Sequence, residues 1–252
     1  MLWNADTLPV VIWPVAVLSA LFMLLWSAES VWPFVRRDWT RWPVNLGLGA
    51  LTLVLGRLLS FVGPLAAALA AEKAGFGLLH QASVPFALAL PFSIVAMDLA
   101  LWAQHLAFHR SAWLWRWHSL HHADPMLDIS TAVRFHPVEA VVSLLWKSLV
   151  VALLGVPPFA VPLFELWLTG GSLIEHANLR VPARADTLIR AIWVTPAMHR
   201  VHHSAHGDDA QHNFGFALSI WDRIFGTMRE LPGGPAIGLP GKAWNPGEGT
   251  SG

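Results

Sequence analysis

The sequence contains no cysteine and no tyrosine, and it has few charged residues. The missing cysteine excludes disulfides, thiolate-ligated haem, cysteine-bound iron–sulfur clusters and thiol nucleophiles, so nitrogen or oxygen must hold any metal. Charged residues make up 13% of the chain, about half of the usual ~25%. The net charge is zero and no basic run is present, so we expect no nucleic-acid partner.

The composition is instead apolar, at 55% of residues, with a mean hydropathy of +0.50. Four or five apolar runs are long enough to predict membrane spans; they cover residues 8–26, 44–69, 85–108, 138–154 and 158–173. The last two runs are joined at Gly155-Val156-Pro157-Pro158, which predicts a tight helical hairpin that need not cross the bilayer fully. The first run lacks a basic n-region and a cleavage site, so we expect a span and not a cleaved signal.

Basic residues follow some of these runs more than others. They occur after the first, third and hairpin runs, at Arg36, Arg37, Arg41, Arg110, Arg116, Arg134, Arg180, Arg184, Arg190 and Arg200, whereas only Lys73 follows the second. The positive-inside rule then predicts an N-terminus outside the cytoplasm. Arg57 and Lys147 lie within apolar runs, and we expect them to snorkel or to face the protein interior.

The predicted fold is therefore all-α: a polytopic membrane protein with about four spanning helices and a cytoplasmic helical cap. We divide it into N-terminal spans (1–83), a catalytic domain of membrane helices plus cap (84–230) and an irregular tail (231–252) rich in glycine and proline. The expected location is the bacterial inner membrane with a cytoplasmic active site, or the endoplasmic reticulum in a eukaryote.

Eight of the thirteen histidines form three groups that follow predicted spans. One group is His-x-x-x-His and the other two are His-x-x-His-His; they comprise His105, His109, His118, His121, His122, His199, His202 and His203. Residues three or four apart share a helix face, so each His-x-x-His-His can give two imidazoles to one metal and a third to a neighbouring metal. Surface or core histidines would not repeat one spacing, and the ensemble predicts a metal centre.

These groups resemble, in order and spacing, the tripartite histidine pattern of the fatty acid hydroxylase/sterol desaturase family. The segments Arg134-Phe-His136-Pro137, His176-Ala-Asn178, Asn213-Phe-Gly215 and Trp221-Asp222-Arg223 are similar to that family too, and the resemblance covers about residues 91–241. It implies a di-metal centre ligated almost wholly by histidine, with the eight histidines above and His176 on ligand positions.

Further polar residues are candidates for metal ligands or for residues that lie beside the ligands. His212 is included in the predicted ligand set, whereas a structural role or a place beside the ligands is favoured for His136, because Arg-x-His-Pro is also a helix-start motif. His80 and His206 are expected to be surface residues. Neutral imidazoles leave metal charge uncompensated, so carboxylates are expected near the ligands, with Asp98, Asp124, Glu139, Glu175 and Asp222 as candidates. Asn178 is placed beside the ligands as well, and no catalytic residue is assigned beyond the metal centre.

The resemblance implies O2-dependent hydroxylation or desaturation of a lipid of sterol, fatty acyl, sphingoid or alkylglycerol type. It implies two iron ions, although imidazole also suits zinc. Electrons would come from a separate ferredoxin- or cytochrome-type donor with its reductase. Three alternatives remain open: a zinc hydrolase, which would want the general base that the clusters lack; a metal or haem carrier, which would place ligands within the spans; and a relative that keeps metals without oxygenase activity.

Overall fold

The computed structural model describes residues 8–231 and 235–239. Eleven α-helices with four short 3-10 turns make up this part of the chain, and it contains three isolated β-bridges but no strand. The helices are α1 Leu8–Val31, α2 Trp42–Leu58, α3 Pro64–Ala74, α4 Leu78–Gln81, α5 Phe86–Arg110, α6 Ala112–His122, α7 Pro137–Leu154, α8 Ala160–His176, α9 Ala183–Ile189, α10 Pro196–His202 and α11 Ile220–Ile224. The predicted all-α class is confirmed. Most of the predicted tail, and Gly241 with it, lies outside the described residues.

Four segments of the described chain are long and apolar enough to cross a bilayer, as the sequence predicts. They are Trp13–Val31, Ser60–Gln81, Phe86–Arg110 and Pro137–Leu154. Apolar side chains such as Leu24, Leu58 and Leu88 lie exposed along the long helices, as expected of a surface that faces lipid.

The second span differs from the predicted run of residues 44–69. Helix α2 ends at Leu58 and α3 begins at Pro64, after a 3-10 turn and Gly63. Proline has no amide hydrogen and disfavours helical geometry in the preceding residue, so the apolar run is broken there. The candidate span is the later stretch Ser60–Gln81, and Arg57 lies in the last turn of α2.

The turn between α7 and α8 forms at the predicted Gly/Pro sequence. Gly155 ends α7 with a φ of 69°, which glycine adopts without strain. A Cβ on Gly77 would lie 2.4 Å from Gly155 Cα, so the two backbones meet directly. The two helices pack mainly on other partners, α7 on α3 and α8 on α1. Lys147 Nζ lies 2.5 Å from Glu165 Oε1, so this lysine pairs across the turn.

The first helix is joined to the histidine-bearing part of the chain by a buried carboxylate. Glu29 Oε1 accepts hydrogen bonds from the backbone amides of Ile129 (3.0 Å) and Asn178 (2.7 Å). Asn178 lies two residues after His176, and its side chain bonds the backbone of Val35 on both sides. Helix α1 therefore fixes the chain where α8 ends.

A second buried network joins the start of α2 to the loop after α6. Arg41 pairs with Asp124 and with Asp128, the latter at 2.5 Å. Asn45 donates to Asp124 (2.8 Å) and accepts from Arg134 (2.7 Å). The side chains of Arg41, Asp124 and Asp128 are largely withdrawn from water, so removing one partner leaves uncompensated charge in the interior.

We predict that Arg41→Ala destabilises the protein by about 3–5 kcal/mol, because two buried carboxylates lose their cation. Thermal unfolding in detergent measures the effect, and Arg36→Ala is the control, since Arg36 lies in the same connection but is exposed. Equal midpoints for the two variants would contradict the prediction.

Candidate metal centre

Four helix ends bring histidines to one place. Ser111 caps α6 by accepting from the Leu114 amide, which turns the chain between α5 and α6 and apposes their histidines. Thr195 caps α10, and Pro196 follows at the first helical position, where its lost amide hydrogen costs nothing. The last residue of α8 is His176.

The histidines form two groups, in each of which the candidate ligand atoms all lie within 4.8 Å of one another. One group has five members, His105, His109, His118, His122 and His202, and the other has four, His121, His176, His199 and His203. All nine are buried. The structure thus brings together nine of the ten residues predicted as ligands.

Each His-x-x-His-His motif is shared between the two groups. In α6 the first and last histidines, His118 and His122, join the five-membered group and His121 joins the other. In α10 the assignment is reversed, because His199 and His203 lie in the four-membered group and His202 in the other. On a helix, residues four apart differ by about 40° and residues three apart by about 60° in the opposite sense, so the middle histidine faces a different centre.

Several nitrogens already stand at the spacing of metal ligands. Nε2 of His105 lies 3.2 Å from Nε2 of His118. Nε2 of His176 lies 3.1 Å from that of His121 and 3.0 Å from that of His199. Two imidazole nitrogens bound at ~2.1 Å and at right angles are ~3.0 Å apart, so these distances fit a shared ion.

In five of the grouped histidines, an acceptor fixes the opposite ring nitrogen. Nδ1 of His105 donates to Phe214 O, that of His121 to Arg134 O, that of His176 to Ser172 O and that of His202 to His212 O, at 2.9, 3.2, 2.7 and 2.8 Å. A carbonyl oxygen only accepts, so Nδ1 carries the hydrogen and Nε2 keeps its lone pair for a metal. The fifth ligand, His118, has a carboxylate in this position: Nδ1 lies 2.6 Å from Glu139 Oε1.

Other ring nitrogens in the described part of the chain are buried without a hydrogen-bond partner. Among the grouped histidines they are both nitrogens of His109 and of His203, Nδ1 of His199, and Nε2 of His122 and of His202. Leaving a buried polar atom unpaired costs about 1–3 kcal/mol. Each imidazole gives one nitrogen to a metal, so bound ions would provide a partner for one nitrogen each of His109, His122, His202 and His203. The donor set therefore fits a pair of metals.

Each group has one buried carboxylate behind its histidines. Glu139 bonds His118 of the five-membered group. Glu175 lies beside the four-membered group, 3.4 Å from His199 Nδ1 and 3.7 Å from His176 Nδ1. Neither of its oxygens has a hydrogen-bond partner. Both were among the predicted carboxylates, and their charge would offset that of bound cations.

Burial keeps the imidazoles neutral. Desolvation, together with repulsion from neighbouring imidazoles, lowers the pKa of four of these histidines well below its usual range. They are His121, His122, His199 and His203. Burial also lowers the pKa of His202 to about 3. Neutral imidazole is the form that binds metals, so the site is prepared to bind at neutral pH.

Two of the predicted carboxylates, Asp98 and Asp222, bind other residues and not the grouped histidines themselves. Asp98 accepts from the indole nitrogens of Trp167 (2.9 Å) and Trp221 (2.7 Å), and no bond to His105 is seen. Asp222 accepts from the Phe214 and Gly215 amides at 2.9 Å. Because Phe214 O in turn accepts from His105, Asp222 holds the turn that orients this ligand. The remaining carboxylate, Asp124, belongs to the Arg41 network.

His136 and His212 lie outside both groups of histidines. His136 caps α7 by accepting from the Val138 amide at 3.1 Å, in agreement with the helix-start motif. The ring of His212 donates to Asp208 O, and only its backbone carbonyl contacts a ligand histidine, His202. Asn178 contacts α1 and the chain after it, as described above. The carbonyl acceptors themselves have no side-chain signature, so sequence reasoning did not find them.

Comparison with known proteins agrees with this geometry. A family model described as fatty acid hydroxylase matches residues 90–227. Ornithine lipid hydroxylase OlsE of Rhizobium tropici is 32% identical over 164 residues, which cover 63% of this chain and 47% of that protein. Human cholesterol 25-hydroxylase is 28% identical, over 55% of this chain and 50% of that protein. Alkylglycerol monooxygenase of Caenorhabditis elegans is 25% identical, over 54% and 26%.

The chain spans about half of the length of these relatives or less, and no solved structure matches it. The family model covers more than half of the chain and includes all nine grouped histidines. The chain therefore belongs to the fatty acid hydroxylase family.

Proposed function

We propose that this protein is a membrane-bound di-iron oxygenase that inserts one oxygen atom into a C–H bond of a lipid. The observation that carries the proposal is the pair of buried, all-histidine groups at the ends of apolar helices. The relatives support the reaction class, since their names describe hydroxylases and monooxygenases acting on an ornithine lipid, an alkylglycerol and cholesterol.

The nine grouped histidines would hold the two ions, five around one and four around the other. When bound, two irons would supply the activation of O2 and the one-electron chemistry that attack on an unactivated C–H bond requires. The overall reaction consumes O2, two electrons and two protons, and yields hydroxylated lipid and water. The electrons would come from a donor of ferredoxin or cytochrome type with its reductase.

The protein's own residues fix the ligands and keep water away. Phe108 stacks on the His118 ring and Phe135 on the His121 ring. Phe214 lies edge-on to His105, His109 and His202. These apolar rings surround the centre, so ligand hydrogen bonds are not exchanged with solvent and the electrostatic effect of Glu139 and Glu175 is strengthened.

The positions of the two carboxylates favour an oxygenase over a zinc hydrolase. A hydrolase needs a general base directed at a metal-bound water. Glu139 and Glu175 instead face the Nδ1 side of ligand rings, which is the side away from the convergent Nε2 atoms. They are placed to orient ligands and to balance charge.

A cytoplasmic position of the centre is part of the proposal. Arginines Arg110, Arg116, Arg134 and Arg200 lie near the histidines in sequence, and the positive-inside rule places such regions in the cytoplasm. A cytoplasmic reductase system could then reach the centre.

We predict that the purified protein binds two metal ions per chain, one for each histidine group. His118→Ala and His202→Ala should each lower the metal content, measured by inductively coupled plasma mass spectrometry, because each removes a ligand of the five-membered group. His212→Ala should retain the metals, since its backbone carbonyl still accepts from His202. Full metal content in the first two variants would exclude this ligand set.

We predict that Glu139→Gln weakens metal binding about 10–100-fold, because second-layer partners of ligand histidines have effects of this size. Chelator competition measures the affinity. Glu165→Gln is the matched control, since Glu165 pairs with Lys147 at a half-exposed position. Equal affinities in the two variants would show that Glu139 does not act on the metal through His118.

We predict that cells producing the protein accumulate a lipid that is heavier by one oxygen atom, and that cells producing His202→Ala do not. Lipid mass spectrometry under oxygen-18 gas identifies the origin of the added atom. Label from water, or no new lipid when a ferredoxin and its reductase are co-produced, would contradict an oxygenase. A lipid lighter by two hydrogens would identify a desaturase instead.

A further inference from the structure

A group of large apolar side chains lies exposed on the part of the chain that carries α9 and α11. Leu188 is 77% exposed, Ile224 65% and Ile192 64%, and Ile189 and Phe225 are exposed beside them. We refer to these five residues as the α9–α11 surface. Contiguous exposed apolar side chains of this kind mark a surface that contacts something other than water.

The two halves of this surface are held together by hydrogen bonds. The Ser219 amide donates to Ile192 O at 2.9 Å, and Arg223 Nη2 donates to Arg190 O at 2.7 Å. The Ser219 hydroxyl donates to the same Arg190 carbonyl. The α9–α11 surface is therefore one rigid feature and not two independent loops.

Contacts with helix α5 fix the position of this surface along the axis of that helix. Phe225 stacks on Trp102 with 4.5 Å between ring centroids, and the Trp102 indole donates to Asp222 of α11 at 3.0 Å. Trp102 stands eight residues before Arg110, the last residue of α5, which is ~12 Å along the helix. The surface thus lies on the membrane side of the helix end, and not at the outer side of the cap.

The same face of α5 is exposed to lipid further along the span. Leu88, Val95 and Trp102 are spaced by seven residues, two helical turns, and so share one face. Leu88 and Val95 are exposed, whereas Trp102 is buried beneath Phe225. The α9–α11 surface therefore continues the lipid-facing stripe of α5, at the point where the cap covers it.

The surroundings of this surface are those of a membrane interface. Trp167 and Trp221 both bond Asp98 of α5, and Trp193 packs on Trp167. Tryptophan is enriched where chains cross the boundary between headgroups and acyl chains. Arg184 and Arg223 are exposed at the edges, where a phosphate of a phospholipid would lie.

From this placement we infer that the α9–α11 surface is immersed in the bilayer that holds the spans, at the boundary between headgroups and acyl chains. An amphipathic element lying in that plane buries its apolar side ~5–10 Å into the boundary. The cap is then attached to the membrane by its own apolar surface as well as by the spans.

The chain has no cysteine, so single cysteines allow site-specific labelling without background. A fluorophore would be attached to Leu188→Cys, Ile192→Cys or Ile224→Cys in the full chain, reconstituted in phosphatidylcholine vesicles. Val95→Cys, near the middle of the span and exposed, is the lipid-facing control. Gly207→Cys is the aqueous control, because Gly207 is exposed and an added Cβ meets open space. Lipids carrying a nitroxide at a shallow or a deep acyl position are one quencher, and iodide in water is the other.

We expect the shallow nitroxide to quench the three cap positions several-fold more than Gly207→Cys, and the deep nitroxide to act most strongly on Val95→Cys. Iodide quenching that equals that of Gly207→Cys would place the surface in water and overturn the inference. Protection from both quenchers would overturn it too, by showing that a second copy of the chain or another protein covers the surface. The readout needs neither metal nor turnover, so failure of the proposed function would leave it unaffected.

Discussion

The hydrogen bonds that fix the far nitrogens of the ligand histidines determine much of the surrounding fold. Nine buried imidazoles that face two points are stable only if each ring presents the correct nitrogen. Carbonyls of Phe214, Arg134, Ser172 and His212 impose this on four rings, and Glu139 on a fifth. Arg134, His212 and Phe214 lie in connections between helices, whereas Ser172 and Glu139 lie within α8 and α7. Those connections must therefore be as well ordered as the helices themselves. The support continues outward, since Asp222 holds the Phe214 turn.

This requirement explains how the N-terminal helices take part in a site to which they give no ligand. Residues before 90 lie outside the matched family region, yet Glu29 of α1 bonds the chain beside His176 and Asn45 of α2 bonds Arg134, whose carbonyl accepts from His121. Two of the four rings with carbonyl acceptors are thus braced from α1 or α2. In a bilayer, helices gain little from the hydrophobic effect when they associate, so directed polar contacts of this kind provide the specific alignment.

The features that were predicted correctly from the sequence are those that periodicity and composition determine. Apolar runs predicted the helical class and most spans. The histidine spacing predicted eight of the nine grouped positions, and the family resemblance added the ninth, His176. The predicted second span was wrong at Gly63-Pro64, where a local backbone restriction interrupts a run that hydropathy alone joins. His212 shows a second limit: the sequence left its ligation open, and in the structure its backbone carbonyl, and not its ring, contacts a grouped histidine, His202. Asp98 shares a helix face with His105, but its carboxylate accepts hydrogen bonds from Trp167 and Trp221 instead. These tryptophans are distant in sequence, so no local pattern predicts the contacts.

The stripe on α5 connects the two proposals physically. Four residues of α5 are spaced by seven positions and share one helix face: Leu88, Val95, Trp102 and His109. Along this face, exposed apolar side chains are followed by the Trp102–Phe225 stack and then by a grouped histidine. If the α9–α11 surface is immersed, this face leads from the acyl region to the metal centre without crossing the aqueous side of the cap. A lipid chain would then reach the centre from the bilayer, and Phe225, exposed on one side and stacked on Trp102 on the other, is the first ring that it meets.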